Sequence, residues 1–514
     1  MRRGAPGKIG APMSPNPRSS SLTVRLQWAA VLPVLLGLPL AGCLAPHSEE
    51  ARPEVASLLG DQLPESWSAT SASGAYGGPA FWNVLGVPEL EGLVDEALAH
   101  NHDLAASASR VRSAMTRIRA ARSVRRPQVN GNLNYARQKN VFVGLPIPGS
   151  DGPLSSTFDQ WSASIDLSWE FDLWGKLGAG IEAASADFEA TAADHQAARL
   201  SIAAGTARAW FQLREANDQL RLAQATLTTY QESLDVVRGR FDAGLSGALD
   251  LRLAEANVAT SQAGLVSARR SVALAKRQIE VLLGRYPAGE LSQAEGSVEL
   301  PPVVPAGVPA DVLRRRPDLV AAERRMAAAE ASAAVARLDR LPNIALTSSL
   351  GRSSGEFDDL LDGDFTVWSI AGGLVGPIID GGRRRARVAE SLEDLRAARS
   401  AFAAAALQAF FEVENALDAE TLLRERLGHL ENAVNSAKAA TELADEQYRE
   451  GLVSIELVLE SQRRQFAAES SFLSAQRELF QTRVDLHVAL GGSFGVPEDE
   501  PAEARDEPAV ETPR

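Results

Sequence analysis

The sequence predicts an internally duplicated α+β membrane protein, with four β-strands per chain and long helices beyond them. Three observations predict this. Residues 161–171 alternate apolar and polar side chains with a period of two. No proline occurs between Pro153 and Pro287 or between Pro377 and Pro497, and Ala, Leu, Arg, Gln and Glu, all good helix formers, dominate both stretches. The two halves of the chain also match each other at nearly constant offsets.

The chain opens with an export signal. Arg2, Arg3, Lys8, Arg18 and Arg25 precede an apolar stretch, Leu26–Leu40, that is short for a spanning helix. It ends in Leu40-Ala41-Gly42-Cys43, which resembles the bacterial lipobox. That resemblance implies that residues 1–42 are a lipoprotein signal peptide and that Cys43 is acylated as the new N-terminus. Leu44 is not an Asp, which by the same resemblance permits sorting to the outer membrane. Cys43 is the sole cysteine, so no internal disulfide forms. Loss of residues 1–42 removes five basic groups and no acid, taking the formal charge from −14 to 47 − 66 = −19. Such a chain lacks the surplus of Lys and Arg that nucleic acid requires.

After a lead at 43–88, repeat 1 is expected over 89–284. A Pro/Gly-rich linker at 285–310 follows, then repeat 2 at 311–491 and an acidic, disordered tail at 492–514. Asn101-His102-Asp103-Leu104 matches Arg316-Pro317-Asp318-Leu319, and Arg126-Pro127 matches Leu341-Pro342, both at an offset of 215. Trp161 and Trp368, Gly244-Leu245 and Gly451-Leu452, and Leu283-Gly284 and Leu490-Gly491 match at 207. The drop of eight predicts a longer loop around 144–153 in repeat 1.

Each repeat reads as a helix (89–123 and 311–339), two strands, and a hairpin of two helices. The strands are expected near 128–143, 161–171, 343–351 and 365–374. Along 161–171, Trp161, Ala163, Ile165, Leu167, Trp169 and Phe171 share one face, and Ser162, Ser164, Asp166, Ser168 and Glu170 the other. Each hairpin turns at a glycine, Gly244 or Gly451. One arm, 178–240, should extend on the order of 90 Å at ~1.5 Å per residue.

No segment after the signal has the run of about 18 apolar residues that a spanning helix needs. A spanning structure must then be a closed barrel. Four strands cannot close one, so several chains pool them. Two chains give eight strands and a filled interior; three give twelve and room for a lumen. The alternation places Trp161, Ile165, Leu167 and Trp169 toward lipid and Asp166, Ser168 and Glu170 toward the lumen. Trp161, Trp169 and Trp174, with Lys176 and Arg383 just past the strands, are expected as membrane-interface anchors.

The chain resembles the TolC-like outer-membrane efflux channel family, in its lipoprotein branch. The resemblance rests on Leu313-Arg314-Arg315-Arg316-Pro317-Asp318-Leu319, on Trp169-Glu170-Phe171-Asp172-Leu173-Trp174-Gly175-Lys176, on Pro377-Ile378-Ile379-Asp380-Gly381-Gly382-Arg383, and on Tyr448-Arg449-Glu450-Gly451-Leu452. It covers about residues 80–491. It implies a homotrimer whose twelve-stranded outer-membrane barrel continues into a long periplasmic α-helical barrel, lipid-anchored in a Gram-negative outer membrane. It also implies docking to a periplasmic adaptor (a membrane-fusion protein) and a proton-driven inner-membrane pump of the RND type.

By the same resemblance, Tyr448 and Glu460 form the periplasmic gate, Glu460 as a cation-attracting ring. Gly244, Leu245, Gly451 and Leu452 contact the adaptor. The expected function is a passive exit duct for small molecules. Type I secretion, metal efflux, and a lipid-anchored coiled-coil scaffold without a pore are the alternatives. No catalytic motif, cofactor site or metal site is expected. The one metal-like pair, His100 and His102, is spaced by two and would lie on different helix faces.

Overall fold

The computed structural model describes residues 66–69, 81–142, 154–291, 298, 304 and 306–492, apart from the side chains of Val84 and Leu154. These all fall within one unit, 48–514. The signal peptide, Cys43, most of the lead, the linker residues 292–297, 299–303 and 305, and the tail beyond Gly492 lie outside the described residues.

A short helix α1 (Phe81–Val84) leads into α2 (Pro88–His100) and α3 (His102–Ser123). Strands β1 (Gln128–Phe142) and β2 (Leu154–Phe171) follow, then the hairpin α4 (Lys176–Asp242) and α5 (Ala248–Leu282). The second half repeats this with α6 (Pro309–Arg315), α7 (Pro317–Leu338), β3 (Asn343–Ser354), β4 (Thr366–Val375), α8 (Arg383–Arg449) and α9 (Ile455–Ala489). Helices α4 and α8 are each 67 residues long, and α5 and α9 each 35. At ~1.5 Å per residue the long arms extend about 100 Å.

Where the sequence predicts one opening helix per repeat, the structure has two. The break falls at Asn101 in one repeat and at Arg316 in the other, residues that match at the 215 offset. Both are extended, and both tie the break to the end of the hairpin. Asn101 Nδ2 donates to Leu282 O at 2.9 Å, and its Oδ1 caps α3 by accepting from Asp103 N and Leu104 N. Arg316 Nη1 donates to Ala489 O at 3.3 Å and bonds Glu412, while Nη2 holds Asp318. Pro317 also bars a helical conformation at the residue before it. His100 and His102 therefore sit on different helices.

The four strands form one antiparallel sheet in the order β1-β2-β3-β4. The expected long loop is not where the extra residues go. Residues 143–153 lie outside the described residues, but they number no more than 355–365. Strands β1 and β2 have 15 and 18 residues against 12 and 10 for β3 and β4. The first repeat's strands are longer, and its turn into the hairpin is shorter.

Two apolar cores form where the opening helices pack on the hairpins. One gathers Phe81, Leu90 and Val94 with Trp210, Phe211, Ile279 and Phe480. The other gathers Trp67, Val312 and Leu319 with Phe402, Val413 and Leu486. Between α8 and α9, Arg483 and Glu420 form an ion pair whose side chains are 0% and 6% exposed.

Candidate functional site

The strand register sorts side chains onto two faces. Residues paired across an antiparallel ladder share a face. Val129 pairs with Leu167, Leu133 with Ala163, and Tyr135 with Trp161. Ile165 pairs with Leu350, Trp169 with Leu346, and Phe171 with Ile344. Leu350 pairs with Trp368, Ser348 with Ile370, and Ile344 with Leu374. The four strands thus place most of their large apolar residues on one face, the exceptions among the described side chains being Phe142 and Phe158 near the β1–β2 turn and Val367 and Val375 of β4, and that face is open: Leu133 is 69% exposed and Ile165 60%.

The opposite face carries Asn130, Asn132 and Asn134 across from Asp166, Ser164 and Ser162, then Ser349 and Thr347, then Ser369. Asp166 accepts from Ser164 Oγ at 3.1 Å and from Asn132 Nδ2. One side of this sheet suits hydrocarbon and the other suits water.

The apolar face has defined ends. At one end Tyr135 and Trp161 lie 4.4 Å apart, with Phe357 edge-on to Trp161. Beyond them the same face turns charged, with Arg137 opposite Asp159. At the other end Trp169 packs on Phe171 and donates Nε1 to Arg125 O at 2.9 Å, while Trp174 Nε1 donates to Pro342 O at 2.7 Å. Trp161 and Trp169 are eight residues apart, about 27 Å along a strand. That matches the roughly 25 Å apolar band of outer-membrane barrels. Trp368 sits level with Ile165 rather than with Trp161, because β4 is shorter and joins the sheet lower.

The turns below the strands are tied by carboxylates. Asp172 accepts from Leu177 N, Gly178 N and Arg125 at 2.8–3.0 Å. Burial alone raises its pKa, but these donors hold it below the usual carboxylate range. Asp380 caps α8 through Gly382 N and Arg384 N, and its pKa is lowered chiefly by the Arg384 amide. Glycines at φ 80° and 88°, Gly175 and Gly382, make the two turns possible. Lys176 differs from the expectation. Its ammonium turns inward to Glu170 at 2.7 Å and Asn343 at 3.3 Å, and the side chain is 17% exposed. Arg383 is exposed.

At the far ends of the hairpins, Gly244 and Gly451 adopt φ 74° and 80°. Leu245 N bonds back to Arg240 O and Leu452 N to Gln447 O, closing each helix by the same turn. Leu245 and Leu452 project into solvent, 71% and 69% exposed. Tyr448 is buried among Tyr230, Val237, Ala254 and Val458, and Arg240 from the other hairpin lies against its ring. Glu460 is ion-paired on its own helix, to Arg464 at 2.7 Å and to Arg463. The hydrogen bond from Arg464 is the main reason its pKa is lowered. A carboxylate between two guanidinium groups adds no net negative charge to a mouth. Arg240 had no distinguishing spacing in the sequence, being one of many helix arginines.

The outer membrane efflux protein family matches the chain over residues 93–285 and 308–492. The chain belongs to that family. It is 31% identical over 444 residues to the pyoverdine export outer membrane protein OpmQ of Pseudomonas putida, covering 85% of this chain and 93% of that protein. It is 28% identical over 471 residues to the cation efflux system protein CusC of Escherichia coli, covering 90% and 98%. The solved outer-membrane channel OprN aligns at a TM-score of 0.75 with 28% identity, covering 84% of this chain and 98% of that one. This member of the outer membrane efflux protein family is an exit duct of the Gram-negative outer membrane, extending into the periplasm. Its fold class is the one the sequence predicts, and a scaffold without a pore is set aside.

Proposed function

We propose that three copies of the chain pool twelve strands into one barrel, and that the six hairpins continue it as a helical tube ending at the Gly244 and Gly451 tips. The carrying observation is the register, which leaves one apolar and one polar face across all four strands while β1 and β4 remain unpaired edges. An unpaired edge is not tolerated in hydrocarbon, so each edge is completed by the next copy. Small molecules pass through passively, delivered by a periplasmic adaptor and a proton-driven RND pump. Cys43 carries the lipid anchor. Exposed Leu245 and Leu452 support the tips as adaptor contacts, beside Gly244 and Gly451. Tyr448 helps hold the periplasmic gate shut, and Glu460 with its two arginines forms a mixed-charge ring there. One relative is named for pyoverdine and another for cations, which supports a cargo chosen upstream of this chain.

The test is reconstitution of the purified chain in planar bilayers and nanodiscs. A trimer with stepwise conductance is the expected result; a monomer without conductance sinks the proposal. In cells, Cys placed at Leu452 should crosslink to an adaptor hairpin.

A further inference from the structure

We propose that the periplasmic rim of the sheet is a binding site for anionic phospholipid of the inner leaflet of the outer membrane. This rests on the sheet being membrane-embedded. Four arginines, Arg126, Arg340, Arg383 and Arg385, crowd the turns just below the strands and are all exposed. Among the described residues none of their guanidinium groups has an ion-pair partner, although their neighbours Arg125 and Arg384 are paired to Asp172, and to Asp339 and Asp380. The whole chain carries a formal charge of −14, so a local surplus of free cations is against its own average.

Bonds between the turns make the rim continuous. Arg125 holds Asp172, Trp174 holds Pro342 O, and Arg384 Nε donates to Asp339 O at 2.8 Å. These contacts bring the turn after α3, the turn before α4, the turn before β3 and the start of α8 side by side. Helix α8 opens on Arg383-Arg384-Arg385 with no acid in its first turn. Cations there oppose the positive end of the helix dipole. The placement becomes favourable when an anion sits among them, as phosphate does at helix N-termini.

The second observation is an open recess of about 510 Å³ lined by Phe171, Leu173, Ile344 and Asp172. Phe171 and Ile344 belong to the lipid-facing row, and Arg125 neutralises Asp172. The recess is therefore apolar and continuous with the hydrocarbon face, at the same rim whose turns carry the free guanidinium groups. An acyl chain against the recess with its phosphate on the arginines satisfies both features. Arginine suits this role because its fork pairs bidentately with phosphate.

The probe is a nanodisc formed from phosphatidylglycerol and phosphatidylcholine around the full mature chain. The lipid retained after detergent exchange is then quantified. Wild type should retain phosphatidylglycerol over phosphatidylcholine at least about fivefold above the input ratio, the factor supplied by one cation near an anionic surface. The combined variant Arg126→Gln, Arg340→Gln, Arg383→Gln, Arg385→Gln should fall to the input ratio, and the corresponding Lys variant should recover part of the preference. Arg137→Gln with Lys139→Gln, at the other end of the sheet, should leave it intact. Retention at the input ratio by inserted wild type, or an undiminished preference in the Gln variant, overturns the lipid site while leaving the channel standing. Failure of wild type to enter the bilayer overturns the membrane reading as well.

Discussion

The guanidinium carbon of Arg240 lies 4.6 Å from the centre of the Tyr448 ring, and its Nη1 donates to the Tyr448 carbonyl at 2.9 Å. One side chain from the first hairpin therefore grips both the ring and the backbone at the end of α8. Burial of the Tyr448 hydroxyl raises its pKa, so the ring stays neutral at physiological pH. Arg240→Ala removes a cation–π contact worth about 0.5–1 kcal/mol and a charge-assisted hydrogen bond. The tips should part more readily. Single-channel recordings should show longer open times, and unchanged gating would count against this clasp.

The outward and inward faces of the sheet should respond oppositely to charge. Leu133→Arg and Ile165→Arg place a cation in hydrocarbon, at a cost of about 2–4 kcal/mol near mid-bilayer. Outer-membrane levels of the folded protein should drop. Ser164→Arg, on the polar face, should leave those levels unchanged and shift ion selectivity instead. Equal losses for both sets would contradict the assignment of the faces.

The Arg483–Glu420 pair predicts a large asymmetry. Arg483 Nε donates to Glu420 Oε2 at 3.0 Å, and Arg424 reaches the same carboxylate at 2.9 Å. Glu420→Gln leaves buried positive charge uncompensated and should cost about 3–5 kcal/mol. Replacing both partners by apolar residues, Glu420→Leu with Arg483→Met, should cost much less. Denaturant midpoints measured in detergent decide between these outcomes.

His487 confers an acid-side instability. Its ring stacks on Phe81 with centroids 5.6 Å apart. Burial first, and then the nearby Arg483 charge, lower its pKa to about 4, with Glu420 opposing. The unfolded chain, with an ordinary pKa near ~6.5, binds the proton first. Stability is therefore full above that value and is lost as pH falls toward about 4, by roughly 2 kcal/mol at pH ~5. The melting temperature should fall across this window, and His487→Gln should flatten the slope. A slope that survives the substitution would assign it to other groups.

The features legible in the sequence were those written as periodicity. Period-two alternation at 161–171 and proline-free helical stretches reflect burial patterns that repeat along the chain. The matched glycines at 244 and 451 mark a backbone turn that only glycine makes without strain. Long-range partners were not legible. Lys176 reads as a headgroup anchor until β2 brings Glu170 beside it. Glu460 reads as a lone acid until one notes that Arg463 and Arg464 sit three and four residues on, on the same face. The Gly/Pro-rich stretch at 144–153 points to a longer loop in repeat 1, yet its strands, 15 and 18 residues against 12 and 10, carry the extra length.

The equal arms, 67 and 35 residues in each half, bind the two repeats to a shared fate. Both tips must finish level if they are to present one even collar to whatever meets them. Deleting a heptad from both helices of one hairpin would leave its tip about 10 Å short of its neighbours. Viable length changes should thus occur in pairs, one in each half, as mirrored edits separated by about two hundred positions.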